Sequence, residues 1–316
     1  MTGGRVVAGR QPARRGRGRR ERSWGGGQGM PNDMADGSDP TARFLARYDA
    51  VLRKWPVPVR AVEVPSRYGT TRVHVCGPAD GTPLVLLPGG GDTSAVWHVN
   101  AGELAREHRV YAVDLMGDFG RSTHSGAPLR GTADLLDWLD TLMDALGLDR
   151  ARLCGHSYGA WIALNYALRS PDRVGGLALL DPINCFTRAS TRYLLRALPL
   201  LLRPSPERIL AFQRWETGLP VTDPVWRAFL EGTAWARRSK VLPMRRPGAE
   251  ALRACAVPCL VVLAGESKAH DARRTGAAVP ALMPRAEVVV LPDVSHHSLP
   301  LAPSAGRLLV EFWRSR

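Results

Sequence analysis

The sequence predicts an α/β chain: an eight-stranded, mostly parallel sheet flanked by helices, with a helical cap inserted after the sixth strand. Three observations predict it. From Thr41 onward, short β-rich runs alternate with segments of helical period, as βαβ units do. Most of those runs are continuously apolar, as strands covered on both faces are. Residues 184–250 then break the alternation, being helical in pattern and without a strand candidate.

In chain order, residues 57–65 and 70–76 form an opening antiparallel pair joined at Tyr68-Gly69. Residues 84–87, 110–115, 152–155 and 176–180 are the buried strands of the first half, and 259–264 and 287–291 complete the eight. Between them, residues 133–146, 158–169 and 304–313 carry apolar side chains at i, i+3, i+4 spacing and read as amphipathic helices. The expected organisation is a tail over residues 1–40, a core over 41–183, a cap over 184–250 and the rest of the core over 251–316. The cap holds Tyr193, Leu198, Phe212, Trp215, Trp226 and Phe229 among twelve basic and five acidic residues. It is expected over the carboxyl edge of the sheet, where open α/β sheets bind ligands.

The chain of 316 residues is 45% apolar and 23% charged, which excludes disorder as its main state. Its formal charge of +14 raises the question of a nucleic-acid partner. Half of that excess lies in residues 1–30, where eight arginines face one acid, Glu21. This Arg/Gly-rich tail has almost no aliphatic residues and is expected to be disordered. No interleaved aromatics accompany it, and arginine outnumbers lysine throughout the chain, so nucleic acid is not an expected partner. The longest apolar stretch, residues 255–265, is too short to span a bilayer and contains Pro258, so no membrane partner is expected either. Five cysteines, at 76, 154, 185, 255 and 259, are an odd count without a Cys/His metal spacing; they read as reduced thiols of a cytoplasmic protein.

The chemistry concentrates at Gly155-His156-Ser157-Tyr158-Gly159, a G-x-S-x-G match between the strand run ending at Cys154 and the helical run opening at Ala160. A strand turning sharply into a helix presents the serine on a strained backbone, and the flanking positions must be small because strand and helix nearly touch. Gly155 and Gly159 satisfy that demand. An attacking serine also needs donors for the tetrahedral oxyanion. Tyr158 supplies one backbone N–H beside the nucleophile; Gly90, in Pro88-Gly89-Gly90-Gly91 after the third strand, is the choice for the second.

These residues resemble the α/β-hydrolase superfamily over about residues 57–313. The likeness rests on the elbow, on Leu86-Leu87-Pro88-Gly89-Gly90-Gly91 with Trp97 downstream, and on Asp114 to Ser122. Two departures are Pro88 in place of the histidine often found before the glycine, and an Asp114 motif one residue longer than its commonest form. Asp114 and Asp118 are expected to brace the loop containing Gly117 and Gly120. The resemblance implies a Ser, acid, His triad in that chain order.

It also places the base just past the last strand, at His296, with His297 as runner-up. The acid commonly follows Gly265-Glu266-Ser267 by one residue, where this chain has Lys268, a cation that cannot orient an imidazolium. Asp271 is the nearest carboxylate and the expected triad acid, with Glu266 and Asp181 as substitutes. The implied activity is a serine hydrolase acting on a carboxylic ester of a small-molecule acyl substrate through an acyl-enzyme, with no cofactor. Acyl transfer, thioester release, lactone opening and carbon–carbon bond hydrolysis share the triad and stay open, as does a ligand-binding protein without turnover. Ser157 argues against dehalogenase and epoxide hydrolase relatives, which carry aspartate at the elbow.

Overall fold

Alternation along each central strand settles which side of the sheet each residue serves. A computed structural model describes residues 39–236 and 242–316; the Arg/Gly-rich tail expected over residues 1–40 lies almost wholly outside the described residues. Asp39 caps the first helix, α1 (Pro40–Leu52), with a proline in its first turn, and α1 buries Phe44, Tyr48 and Val51. Sequence periodicity left this segment unassigned, although Asp39-Pro40 is a helix-start signal.

The sheet then begins with β1 (Arg60–Ser66), β2 (Gly69–Cys76) and β3 (Thr82–Leu87). A short helix α2 (Ala101–Leu104), β4 (His108–Val113) and a two-residue strand β5 (Thr123–His124) follow. Next come α3 (Thr132–Ala145), β6 (Ala151–His156), α4 (Tyr158–Arg169) and β7 (Val174–Leu180). After β7 the chain makes α5 (Thr191–Leu202), α6 (Pro206–Thr217) and α7 (Pro224–Gly232), then α8 (Ala249–Ala254). It closes with β8 (Cys259–Ala264), α9 (Ala272–Leu282), β9 (Ala286–Leu291) and α10 (Pro303–Arg314).

Eight strands lie in the order β1-β2-β4-β3-β6-β7-β8-β9, and β5, which the periodicity did not reveal, adds to β2. β1, β2 and β4 are successively antiparallel, while β4, β3, β6, β7, β8 and β9 run parallel. The fold expected from sequence is therefore the one observed, including the helical insertion after β7. In the centre, Val85, Leu87, Leu153, Leu177 and Leu179 point into one apolar layer with Trp138 and Trp161. Leu84, Leu86, Cys154, Ala178 and Leu180 point into the other, with Trp97 and Trp313. Both faces are covered, which is why these strands read as unbroken apolar runs.

The register sets the carboxyl ends abreast: Leu87 pairs with Gly155, and His156 with Leu180. Strand order reverses between β3 and β6, the kind of switch point where open α/β sheets place their ligands. No helix among the described residues is long and apolar enough to cross a membrane.

Candidate active site

At the end of β6 the chain has one residue in which to change from strand to helix, and that residue is Ser157. Its φ of 53° lies in the left-handed region, unusual for a side chain with a Cβ. The turn is held by Ser157 N–H donating to Leu180 O (3.0 Å) and Trp161 N–H donating to Ser157 O (3.1 Å). Both flanking glycines are sterically obligatory. A Cβ on Gly155 would sit 2.3 Å from the Gly159 carbonyl, and one on Gly159 would sit 2.2 Å from Leu87 O. The expected close approach of strand and helix forbids a larger residue at Gly155, and at Gly159 it is the Leu87-Pro88 backbone that does so.

His296 follows β9 and lies almost wholly buried beside the serine. Its Nδ1 is 2.7 Å from Asp181 Oδ2 and its Nε2 is 2.9 Å from Ser157 Oγ. A carboxylate only accepts, so Nδ1 carries the proton and Nε2 is free to accept from the serine hydroxyl. Asp181 is the residue immediately after β7, again with positive φ, and is fully buried. Its Oδ1 accepts from Ala264 N–H and from His270 Nε2–H, both at 2.9 Å, and its Oδ2 also accepts from Ser267 Oγ–H at 2.7 Å. Burial alone pushes this carboxyl up, but the bonds and charges of His270 and His296 outweigh it and hold Asp181 well below the usual carboxylate range.

The expectation that Asp271 completes this chain is corrected by the same geometry. Asp271 is exposed, and its Oδ1 accepts Arg274 N–H (2.9 Å) as the N-cap of α9. Glu266 is exposed as well. His270, the neighbour of Asp271, is instead the second imidazole on Asp181, and its Nδ1 lies 3.0 Å from the Thr275 hydroxyl. Burial lowers the pKa of His270, but the Asp181 hydrogen bond and charge raise it by more, for a net rise.

Lys268, standing where the family often has its acid, turns the other way. Its ammonium donates to Trp215 O (2.6 Å) and Glu216 O (2.7 Å) at the C-terminal turn of α6, where a cation is favoured. Glu216 itself is fully buried and reaches down from the insertion to the loop that carries His296. Oε1 accepts His296 N–H (3.0 Å), and Oε2 accepts His297 N–H (3.1 Å) and Ser295 Oγ–H (2.8 Å). Against the upward push of burial, the His297 and His296 charges and the backbone donor keep Glu216 below its ordinary range. Sequence reasoning missed this residue, because an acid near the end of a surface-patterned helix carries no local sign of burial.

Two further histidines frame His296. His156 Nε2–H donates to His296 O (2.9 Å), and its Nδ1, buried, has no hydrogen-bond partner among the described residues. Burial, reinforced by the His296 and His297 charges, keeps His156 neutral. His297 contacts the Tyr193 hydroxyl (2.9 Å), and burial pushes it down to about 4.

On the opposite side, the Pro88-Gly91 turn is held by Asp118, whose Oδ2 accepts Gly91 N–H at 2.7 Å. That bond occupies the Gly91 N–H, and Gly89, Gly90 and Gly91 all line the cavity. Asp114 ties Ser94, Tyr48 and Arg121 together, in keeping with the bracing role expected for both acids. Helix α4 starts at Tyr158 without a side-chain cap, so its first N–H groups stay unclaimed by side chains.

Ser157, His296 and Gly90 line a cavity of about 400 Å³ whose roof is Tyr193, Phe212 and Trp226 of the insertion. Among the described residues, no group of three or more His, Cys, Asp or Glu side chains is placed to hold a metal ion. A hydroxyl, an imidazole and a buried carboxylate in one hydrogen-bonded line are equipped to generate an oxygen nucleophile at neutral pH.

The fold and this site define a class, and comparison with known proteins agrees: residues 84–311 match the model of the alpha/beta hydrolase family, and the chain belongs to that family. Its relatives include the carboxylesterase nap of Bacillus subtilis, 29% identical over 267 residues that cover 82% of this chain and 88% of the relative. Carboxylesterase YbfK of the same organism is 38% identical over 144 residues, 46% of this chain; the match spans about half of that relative's length, 48%. The crystal structure of naproxen esterase from Bacillus subtilis superposes with a TM-score of 0.80 at 26% identity, covering 88% of this chain and 99% of that one. The chain is a carboxylesterase-like α/β hydrolase.

Proposed function

We propose that the protein hydrolyses carboxylic esters through an acyl-enzyme on Ser157, with His296 as base and Asp181 as the acid that orients it. The observation that carries this reading is the single hydrogen-bonded line from Ser157 Oγ through the His296 ring to Asp181. Ser157 Oγ attacks the acyl carbon as its proton passes to His296 Nε2, and Asp181 stabilises the resulting imidazolium. The N–H groups of Gly90 and Tyr158 hold the tetrahedral oxyanion. Collapse breaks the acyl C–O bond, the departing alcohol takes the proton from His296, and water repeats the sequence to release the acid. The aromatic roof favours an apolar group on the ester. Turnover of p-nitrophenyl acetate and butyrate by the full chain tests the proposal; release no faster than in buffer would overturn it.

On this reading Glu216 is a positioning residue, since it holds the backbone of residues 295–297 and not the substrate. Glu216→Gln sets an amide NH2 against N–H donors and leaves one of them buried and unpaired, worth about 1–3 kcal/mol. We expect kcat to fall by about 10- to 100-fold with KM little changed, read from Michaelis–Menten curves alongside the fluorophosphonate labelling rate. An unchanged kcat would assign Glu216 to stability alone.

Asp92, half-buried in the cavity wall beside Gly91, adds a pH signature. Burial lifts its carboxyl to about 7; the Asp118 and Asp114 charges add to the rise and the Thr93 N–H opposes it. The group is neutral below that pH and anionic above it. The ratio of kcat/KM for an anionic ester to that for an uncharged ester of equal size should therefore fall as pH rises through about 7. Taking the ratio cancels pH effects common to the two substrates, and Asp92→Asn should leave the ratio flat.

A further inference from the structure

Helix α5 divides into three stripes. Tyr193, Ala197 and Leu200, spaced i, i+4, i+7, line the cavity above Ser157. Leu194, Leu195, Leu198, Leu201 and Leu202, spaced i, i+1, i+4, i+7, i+8, form a second stripe and are 44–71% exposed. They are five of the seven large apolar side chains exposed among the described residues, and no residue of α5 is buried. Arg192 and Arg196 form the third stripe, continued by Arg203 just past the helix end; all three are exposed, and the first two lie over the Trp215 ring at 5.9 and 5.4 Å. The helix has no acidic residue.

We propose that α5 is a membrane-surface helix: its leucines seat in the acyl boundary of an anionic phospholipid bilayer while its arginines take the phosphates. An exposed apolar stripe flanked by arginines is the pattern of helices that lie in the interface, and guanidinium matches phosphate oxygens in charge and geometry. A second copy of the chain fits this face poorly, because a two-fold contact would bring arginine stripes together with no acid on the helix to separate them. The inference departs from the expectation of no membrane partner, which rested on the lack of a spanning segment and does not bear on a helix lying in the surface. Leu201 belongs both to the exposed stripe and to the cavity lining, so the bilayer face and the cavity above Ser157 adjoin. Resting on the esterase reading, this makes the substrate class an acyl ester carried in the membrane, which reaches Ser157 without crossing bulk water.

The test is co-sedimentation of the full chain with vesicles of equal parts phosphatidylglycerol and phosphatidylcholine. It is compared with a variant carrying Leu194→Ser, Leu195→Ser, Leu198→Ser and Leu202→Ser, none of which lines the cavity. Every arginine is kept, so attraction from the N-terminal arginines is common to both proteins. The variant should partition at least about tenfold less, with turnover of a short water-soluble ester unchanged. Equal partitioning of the two would overturn the proposal. So would a dimer that the substitutions convert to monomer with vesicle binding unaltered, which would assign the face to a second copy. Lost partitioning with no ester turnover in either protein would uphold the surface and sink the esterase reading instead.

Discussion

Asp181→Asn is expected to lower kcat for ester hydrolysis by about 10⁴-fold, while Asp271→Asn leaves it nearly unchanged. The asymmetry follows from what each carboxylate touches. Asp181 accepts from His296 Nδ1 at 2.7 Å, and an asparagine amide in its place either presents N–H to that nitrogen or accepts without charge. The first outcome moves the ring proton to Nε2, where it blocks proton transfer from the serine; the second leaves the imidazolium unstabilised. Asp271 bonds only the start of its own helix, and losing that cap costs about 1 kcal/mol of stability. Steady-state kinetics on the two single variants separates these cases, and a loss following Asp271 would return the acid to the carboxylate nearest the position that Lys268 occupies.

Ser157→Ala should reduce turnover by about 10⁶-fold, with substrate affinity largely kept because the cavity walls are untouched. Adding His296→Ala to Ser157→Ala should cost little more, since nucleophile and base act as one unit and the first substitution already removes its action. What rate is left over water comes from the oxyanion donors and from holding the ester in place. Multiplicative losses in the double variant would mean that the two residues serve separate steps, and the hydrogen-bonded line would need another explanation.

How much of this was legible in the chain depends on the range of the interaction. The elbow is local: two glycines bracket one serine, and the contact that requires Gly155 is with Gly159, inside the same five residues that bear the signal. His296 was legible from its offset to the last strand, and the alternating apolar runs revealed the sheet because its centre is covered on both faces. The proposed acid was harder, because several carboxylates follow strands at the carboxyl edge and only the lateral order of β6, β7, β8 and β9 brings Asp181 beside both Ser157 and His296. Lys268 signalled that the usual position was vacated without saying where the charge had gone. Glu216 is the extreme case: its partners in the His296 loop lie about 80 residues away, and two of the three are backbone N–H groups, which leave no trace in residue identity.

The most direct measurement is active-site labelling of the full chain with a fluorophosphonate probe, located by peptide mass spectrometry. The account predicts a single adduct on the peptide containing Ser157, formed much more slowly in Asp181→Asn and absent in Ser157→Ala. An adduct on a different residue, or equal labelling of Ser157→Ala, would contradict it.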